Sequence, residues 1–327
     1  MTTSRTSSYQ PSLAWFAALG AAWVFGVVTL GAFTTTIHAG MAFADWPLSN
    51  GSINPSGWLT EIDKFAEHSH RLFGMVMGLL AITLVVWLQR REDRRWLRKL
   101  GWTGLLIVII QGILGGTRVR LDAVAVPGFE MSLGQMLRIP HGILAQIYVC
   151  MLFAIAASLS RSWTSVTSPA KEVSPGIRRL AIVSTVLLFV QLIVAALMRH
   201  NNAGLAIPTF PLTPDGSLLP RVWDFRIGIH FIHRVMALVL AVSLGWLAVS
   251  IWRSPTTSRG LKQAAGLIVG LVTVQIVLGV VSVLSIRDPY YTTAHVICSA
   301  FLLAAVFTVT WWTQRAAILR HDAALAR

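Results

Sequence analysis

Long apolar runs separated by short polar ones run the whole length of the chain. Eight stretches, near residues 13–35, 68–89, 100–117, 138–159, 179–198, 228–251, 263–285 and 291–313, each hold roughly 20 mainly apolar residues, the length an α-helix needs to cross a bilayer. The pattern predicts an all-α membrane protein with eight transmembrane helices and little chain left for a soluble domain. Composition agrees, with 55% hydrophobic and only 12% charged residues, so lipid is the solvent for most of the surface.

Charge then orients the spans. The segment between the second and third holds Arg90, Arg91, Arg94, Arg95, Arg98 and Lys99, which the positive-inside rule places in the cytoplasm. With both termini inside, 17 of the 27 Lys and Arg fall on the cytoplasmic side and 10 at the outer side. The net charge of +14 therefore reads as topology, and no nucleic acid is expected, because the charge is scattered over loops and forms no single face. The expected location is the cell inner membrane, multi-pass. Ala42 and Ala44 resemble a signal-peptide cleavage site, but the apolar run before them is longer than an h-region and has a counterpart later in the chain, so it reads as a retained span. Cys150 and Cys298 both lie inside predicted helices and read as packing residues.

Self-comparison sets the organisation. Ala39-Gly40-Met41-Ala42 recurs as Ala203-Gly204-Leu205-Ala206, Pro47-Leu48 as Pro211-Leu212, and Gln111, Leu114 and Gly115 as Gln275, Leu278 and Gly279, all at an offset of 164. His70-Arg71 recurs as His233-Arg234 at 163, and His141 pairs with His295 at 154. Matches at polar, Gly and Pro positions at a nearly constant offset predict two duplicated four-helix bundles, residues 1–165 and 166–327. An even number of spans per half makes the repeats parallel about an axis along the membrane normal.

Ionisable groups within a membrane are costly and mark functional positions. His70, His141, His233 and His295 occupy repeat-related places, one or two turns below the outer ends of the second, fourth, sixth and eighth helices. Bundle cores are common cofactor sites, and two neutral imidazoles without Cys or carboxylate partners suit the axial positions of a heme iron, whereas zinc wants three or four ligands. The halves differ at one position. Glu67 lies three residues before His70 on the same helix face, where the second half has His230. The spacing marks Glu67 for chemistry; the bland alternative is an interfacial residue paired with Arg71. Arg71 and Arg234 suit heme propionates or interface anchoring, and His68 faces elsewhere. His38 and His200 fall in outer loops and His321 in the cytoplasmic tail, all expected in solvent. Gln111 and Gln275, mid-helix beside Gly, read as interhelical hydrogen-bonding residues. The loops holding Trp46-Pro47-Leu48 and Phe210-Pro211-Leu212 read as lids over the bundle tops.

At these residues the chain resembles the heme A synthase family. Glu67-His68-Ser69-His70-Arg71 matches the Glu-x-x-His-Arg pattern, Gly204-Leu205-Ala206-Ile207-Pro208 the Gly-Leu-Ala-Ile-Pro loop, and the Gln-x-x-Leu-Gly of the third and seventh helices also fits. The likeness spans nearly the whole chain. It implies an oxidoreductase that converts the C8 methyl of heme O to a formyl group, giving heme A for terminal oxidase biogenesis. It further implies a heme b cofactor on His233 and His295, substrate heme O on His70 and His141, all four as iron ligands, and Glu67 as the catalytic carboxylate. A heme O synthase, an electron acceptor and further copies of the chain are the partners it suggests. One departure is the lack of the outer-loop Cys pairs that many members carry and some lack, which leaves no outer-loop thiol for a thiol-dependent step. Two other classes fit duplicated His pairs: a diheme cytochrome b-type electron-transfer subunit, and a heme carrier without chemistry.

Overall fold

We describe a computed structural model of the chain covering residues 9–165 and 173–325. Eight helices are long and apolar enough to cross a membrane. They are α1 (Pro11–Thr36), α2 (Ile62–Arg91), α3 (Arg95–Arg120), α4 (Arg138–Leu159), α5 (Pro175–His200), α6 (Phe225–Arg253), α7 (Arg259–Leu284) and α8 (Pro289–Thr313). Among the described residues there is no strand, only an isolated bridge between Ser49 and Ser52. The chain is an all-α, multi-pass membrane protein. The boundary expected between residues 165 and 166 borders 166–172, which lie outside the described residues.

Every expected span falls within or close to a helix, and most helices run further than hydropathy alone predicts. At about 1.5 Å per residue, a helix of 26–30 residues is roughly 39–45 Å long against a hydrocarbon core of about 30 Å. The extra turns carry Asp63 and Lys64 at one end of α2 and Arg90 and Arg91 at the other, where charges reach the headgroups. Helix starts are marked by residues that satisfy the first free N–H groups: Ser174, Asp224, Ser258 and Asp288 each accept a backbone hydrogen bond at the head of α5 to α8.

Neighbours in sequence are neighbours in space. α1, α2, α3 and α4 close into one ring, and α5, α6, α7 and α8 into another, while the rings meet through α1, α4, α5 and α8. The amount of helix surface hidden within protein follows this plan. In its most apolar stretch α4 is 56% buried and α8 44%, against 6% for α7, whose flanks face lipid. Each ring has its own apolar core, one around Leu13, Leu88, Leu97 and Leu152 and the other around Leu244, Leu247, Ile251 and Ile268. The seam between rings is also packed: Phe25 stacks on Phe301 at 4.0 Å, and Trp311 Nε1 donates to Ser158 Oγ at 2.9 Å. Cys150 and Cys298 are free and buried.

At the turn between α2 and α3 the chain buries a charge pair. Arg94 donates from Nε and Nη2 to the two oxygens of Glu92, both at 2.8 Å, and from Nη1 to the Ser158 carbonyl at 2.9 Å. Removing one member of a buried pair strands the other, at a cost of about 3 kcal/mol or more. Glu92→Ala is therefore expected to lower the thermal midpoint of the detergent-solubilised protein markedly, and Glu92→Leu with Arg94→Met to recover much of the loss. Equal melting of parent and Glu92→Ala would show that the pair holds nothing.

Candidate functional site

The four histidines face the interiors of their rings, and each has one side settled by a neighbour. In the first ring His70 Nδ1 lies 3.1 Å from the Val27 carbonyl. Only an N–H can satisfy a carbonyl there, so Nδ1 carries the proton and Nε2 keeps its lone pair. The ring fits because α1 has Gly31 opposite: a Cβ at that position would come within 2.8 Å of His70 Cε1. His141 stands on α4, diagonally across the ring from the α2 of His70. Its backbone carbonyl accepts from Gln111 Nε2 at 2.9 Å, its ring packs on Gly115, and its Nδ1 is buried with no partner.

In the second ring His295 Nδ1 lies 3.1 Å from the Gln275 carbonyl, while Gln275 Nε2 approaches His295 Nε2 at 3.2 Å. Gly279 makes the room, since a Cβ there would sit 3.0 Å from His295 Cε1. His233 Nδ1 is 3.0 Å from Gln191 Nε2, which also donates to the His233 carbonyl at 3.0 Å. The ring centres of His233 and His295 are 6.5 Å apart. That gap is close to two metal–nitrogen bonds of about 2 Å each plus the radii of the two rings.

The residues present suit a heme better than an isolated metal ion. Among the described residues no group of three or more His, Cys, Asp or Glu converges as a metal site, so each ring offers a pair of imidazoles. Around these pairs His141 Nδ1 and the Oε1 atoms of Gln111, Gln191 and Gln275 are buried without hydrogen-bond partners. Native proteins seldom leave such atoms unpaired, and a bound group that reorients the imidazoles gives them work. An imidazole that ligates through Nε2 holds its proton on Nδ1, and Gln191 Oε1 can then accept it once the amide turns over.

Beside each pair lies a loop held by the residue one turn before the His. Glu67 is 4% exposed; its Oε2 accepts the Phe43 N–H at 3.1 Å and its Oε1 meets Arg71 Nη2 at 2.5 Å. Arg71 also donates to the carbonyls of Phe43, Asp45 and Leu48. In the second ring His230 Nδ1 accepts the Ile207 N–H at 3.2 Å, which leaves its proton on Nε2, and Arg234, whose Nε lies 3.3 Å from that nitrogen, donates to the carbonyls of Ile207 and Thr209. Phe43 and Ile207 differ by 164, the repeat offset. The first loop is further fixed by Trp46, whose indole packs where Gly116 leaves no side chain, and by Asp45, which accepts the N–H groups of Asn50 and Gly51 at 2.7 Å. The Gly51 bond holds the Asp45 carboxyl below its ordinary value.

Several sequence expectations change here. Glu67 and its counterpart His230 both hold a loop, so the difference between them does not by itself mark chemistry. Arg71 and Arg234, read as suiting either heme propionates or interface anchoring, give most of their hydrogen bonds to loop carbonyls. His200 is no solvated loop residue: it is the half-buried last residue of α5, which runs on until Asn202 turns left-handed at φ 54°. His38 and His321 are exposed, and His68 is buried between Ser49 Oγ at 2.9 Å and the Ile53 carbonyl at 3.2 Å. Gln111 and Gln275 do bond across helices, and their partners are His141 and His295. Gln191 was missed; a glutamine in the middle of the apolar α5 was its signal.

Hydrogen bonds to charged groups are worth about 1.5–3 kcal/mol. Arg71→Met is therefore expected to raise amide hydrogen exchange around residues 43–48 by about tenfold or more, with residues 207–209 unchanged. Equal protection in the variant would show that Arg71 does not hold the loop.

Comparison with known proteins places the chain among relatives of one kind. The chain is 29% identical to the heme A synthase of Shouchella clausii over 91% of this chain and 94% of that one. It is 27% identical to the heme A synthase of Symbiobacterium thermophilum over 77% and 79% of the two chains, and 25% identical to that of Geobacillus kaustophilus over 92% and 90%. Residues 59–307, which include all four histidines, Glu67 and both Gln-x-x-Leu-Gly segments, match the COX15-CtaA model of cytochrome oxidase assembly proteins, and the chain belongs to that family.

Proposed function

We propose that the chain is a heme A synthase, oxidising the C8 methyl of heme O to a formyl group in the inner membrane, with both termini cytoplasmic and the histidines toward the outer side. The observation that carries the reading is the pair of imidazoles inside each ring, one of each pair, His70 and His295, seated against a glycine, in a chain resembling heme A synthases over most of its length. In this reading His233 and His295 hold heme b. Bound there, heme b supplies a one-electron redox centre. Gln191 and Gln275 orient its two imidazoles: the Gln275 carbonyl fixes the His295 proton on Nδ1, and Gln191 does the same for His233 once its amide turns over to present Oε1. His70 and His141 bind the substrate, heme O, and the loop held by Glu67 and Arg71 keeps water from the outer end of that ring.

Glu67 is the catalytic carboxylate of the reading. It stands one turn from His70, and going from methyl to formyl releases protons as electrons leave and one oxygen atom is added. A buried carboxylate takes up such a proton, or faces the positive charge that develops as the methyl loses electrons. To do so it exchanges its bond to Arg71 for one to the substrate.

Expression with a supply of heme O is expected to yield heme A in extracted pigments, and Glu67→Ala to stop at heme O or a hydroxylated intermediate, with heme A lowered by about 10²-fold. Chromatography of the extracted hemes decides it, and absence of heme A with the unaltered chain in a competent host overturns the reading. His233→Ala is expected to lose the tightly held heme b, and His70→Ala chiefly to impair substrate binding. Equal loss of permanent heme from both variants would favour an electron-transfer subunit.

A further inference from the structure

The outer end of the first ring holds an arginine pair that the repeat does not account for and that the loop, which takes one hydrogen bond from Arg118, accounts for only in part. On α3, Gln111, Gly115 and Arg118 share one face, and the first two touch His141. On α4, Arg138 precedes His141 by three residues, so it stands on the same face about one turn, roughly 5 Å, nearer the outer side. Arg118 Nη2 donates to the Gly40 carbonyl at 2.6 Å, and Arg138 Nη2 to Asp122 Oδ1 at 2.9 Å, with Arg118 Nη2 3.9 Å from the same oxygen. One aspartate thus faces two guanidinium groups. The Nε atoms of both arginines are buried and have no hydrogen-bond partner. Arg199, reaching across from α5 to the Ala32 carbonyl and Thr36 Oγ1, also has a buried, unpartnered Nε. The repeat counterparts of Arg118 and Arg138 are Ser282 and Thr292, so the pair belongs to the first ring alone.

We propose that Arg118 and Arg138 form a carboxylate-binding site at the outer end of the first ring, taking the propionates of the tetrapyrrole that His70 and His141 hold. The inference rests on the reading of that ring as a heme site. Planar guanidinium groups match carboxylates, and buried unpaired N–H groups are costly until an anion arrives. The site also sets how the macrocycle lies, since a ring anchored by its carboxylates at the arginines presents its opposite edge elsewhere.

The test is a titration of the purified full-length chain, in phosphatidylcholine nanodiscs, with protoheme and with its dimethyl ester, followed by the Soret band. The chain is expected to bind the free acid at least about tenfold more tightly than the ester, and Arg118→Gln with Arg138→Gln to remove that preference by weakening the free acid alone. Unchanged ester affinity and retained heme in the second ring show that the double variant is folded. Equal affinity of acid and ester in the parent, or a preference that survives in the double variant, overturns the site. If the first ring binds neither compound, its reading as a heme site fails, and the inference falls with it. Discs containing phosphatidylglycerol separate the sources of the anion: an unchanged preference supports the proposal, and its disappearance assigns the arginines to a lipid headgroup.

Discussion

Inside a membrane protein an imidazole has no water to turn to, so the partner of one ring nitrogen decides what the other can do. The arrangement of both rings follows from that constraint. Val27 and Gln275 present backbone carbonyls to His70 and His295 and fix their protons on Nδ1, and a carbonyl within a helix is available only because the neighbouring helix comes close. Close approach in turn requires Gly31 and Gly279, where any side chain would displace the imidazole. Histidine, carbonyl and glycine therefore form one unit in each ring, and the helix packing around it has to keep their spacing.

The two rings solve the problem differently in detail. His70 is oriented by the main chain of α1, whereas His233 meets the side chain of Gln191, 164 residues after Val27. A carbonyl accepts only, while an amide can present either an acceptor or a donor by turning over. The second ring thus has an adjustable partner where the first has a fixed one. The arginines differ too, with Arg118 and Arg138 in the first ring against Ser282 and Thr292 in the second.

Much of the fold was legible in the sequence because hydropathy reports the bilayer directly: each of the eight spans has a helix. The helix ends were not legible, since α2 starts at Ile62 and α3 reaches Arg120 through polar turns that hydropathy treats as loop. The four histidines, Gln111 and Gln275 stood out as polar residues in apolar surroundings. The work of Arg71 and Arg234 did not, because their partners are backbone carbonyls, which leave no mark on residue identity. Arg118, Arg138 and Arg199 were hidden for a different reason: counted as outer-side charge, they satisfied the topology and invited no further question.

Position 67 and its counterpart 230 show what a loop asks of the residue that holds it. The Phe43 and Ile207 amides each find an acceptor there, a carboxylate oxygen in one ring and an imidazole nitrogen in the other. The loop amide is served by either residue, while the guanidinium beside it gains an acceptor only from the carboxylate. An exchange between them would leave the architecture intact while changing the charge beside the nearest histidine, so this is a position where a repeat can acquire a new chemical character without first losing its shape.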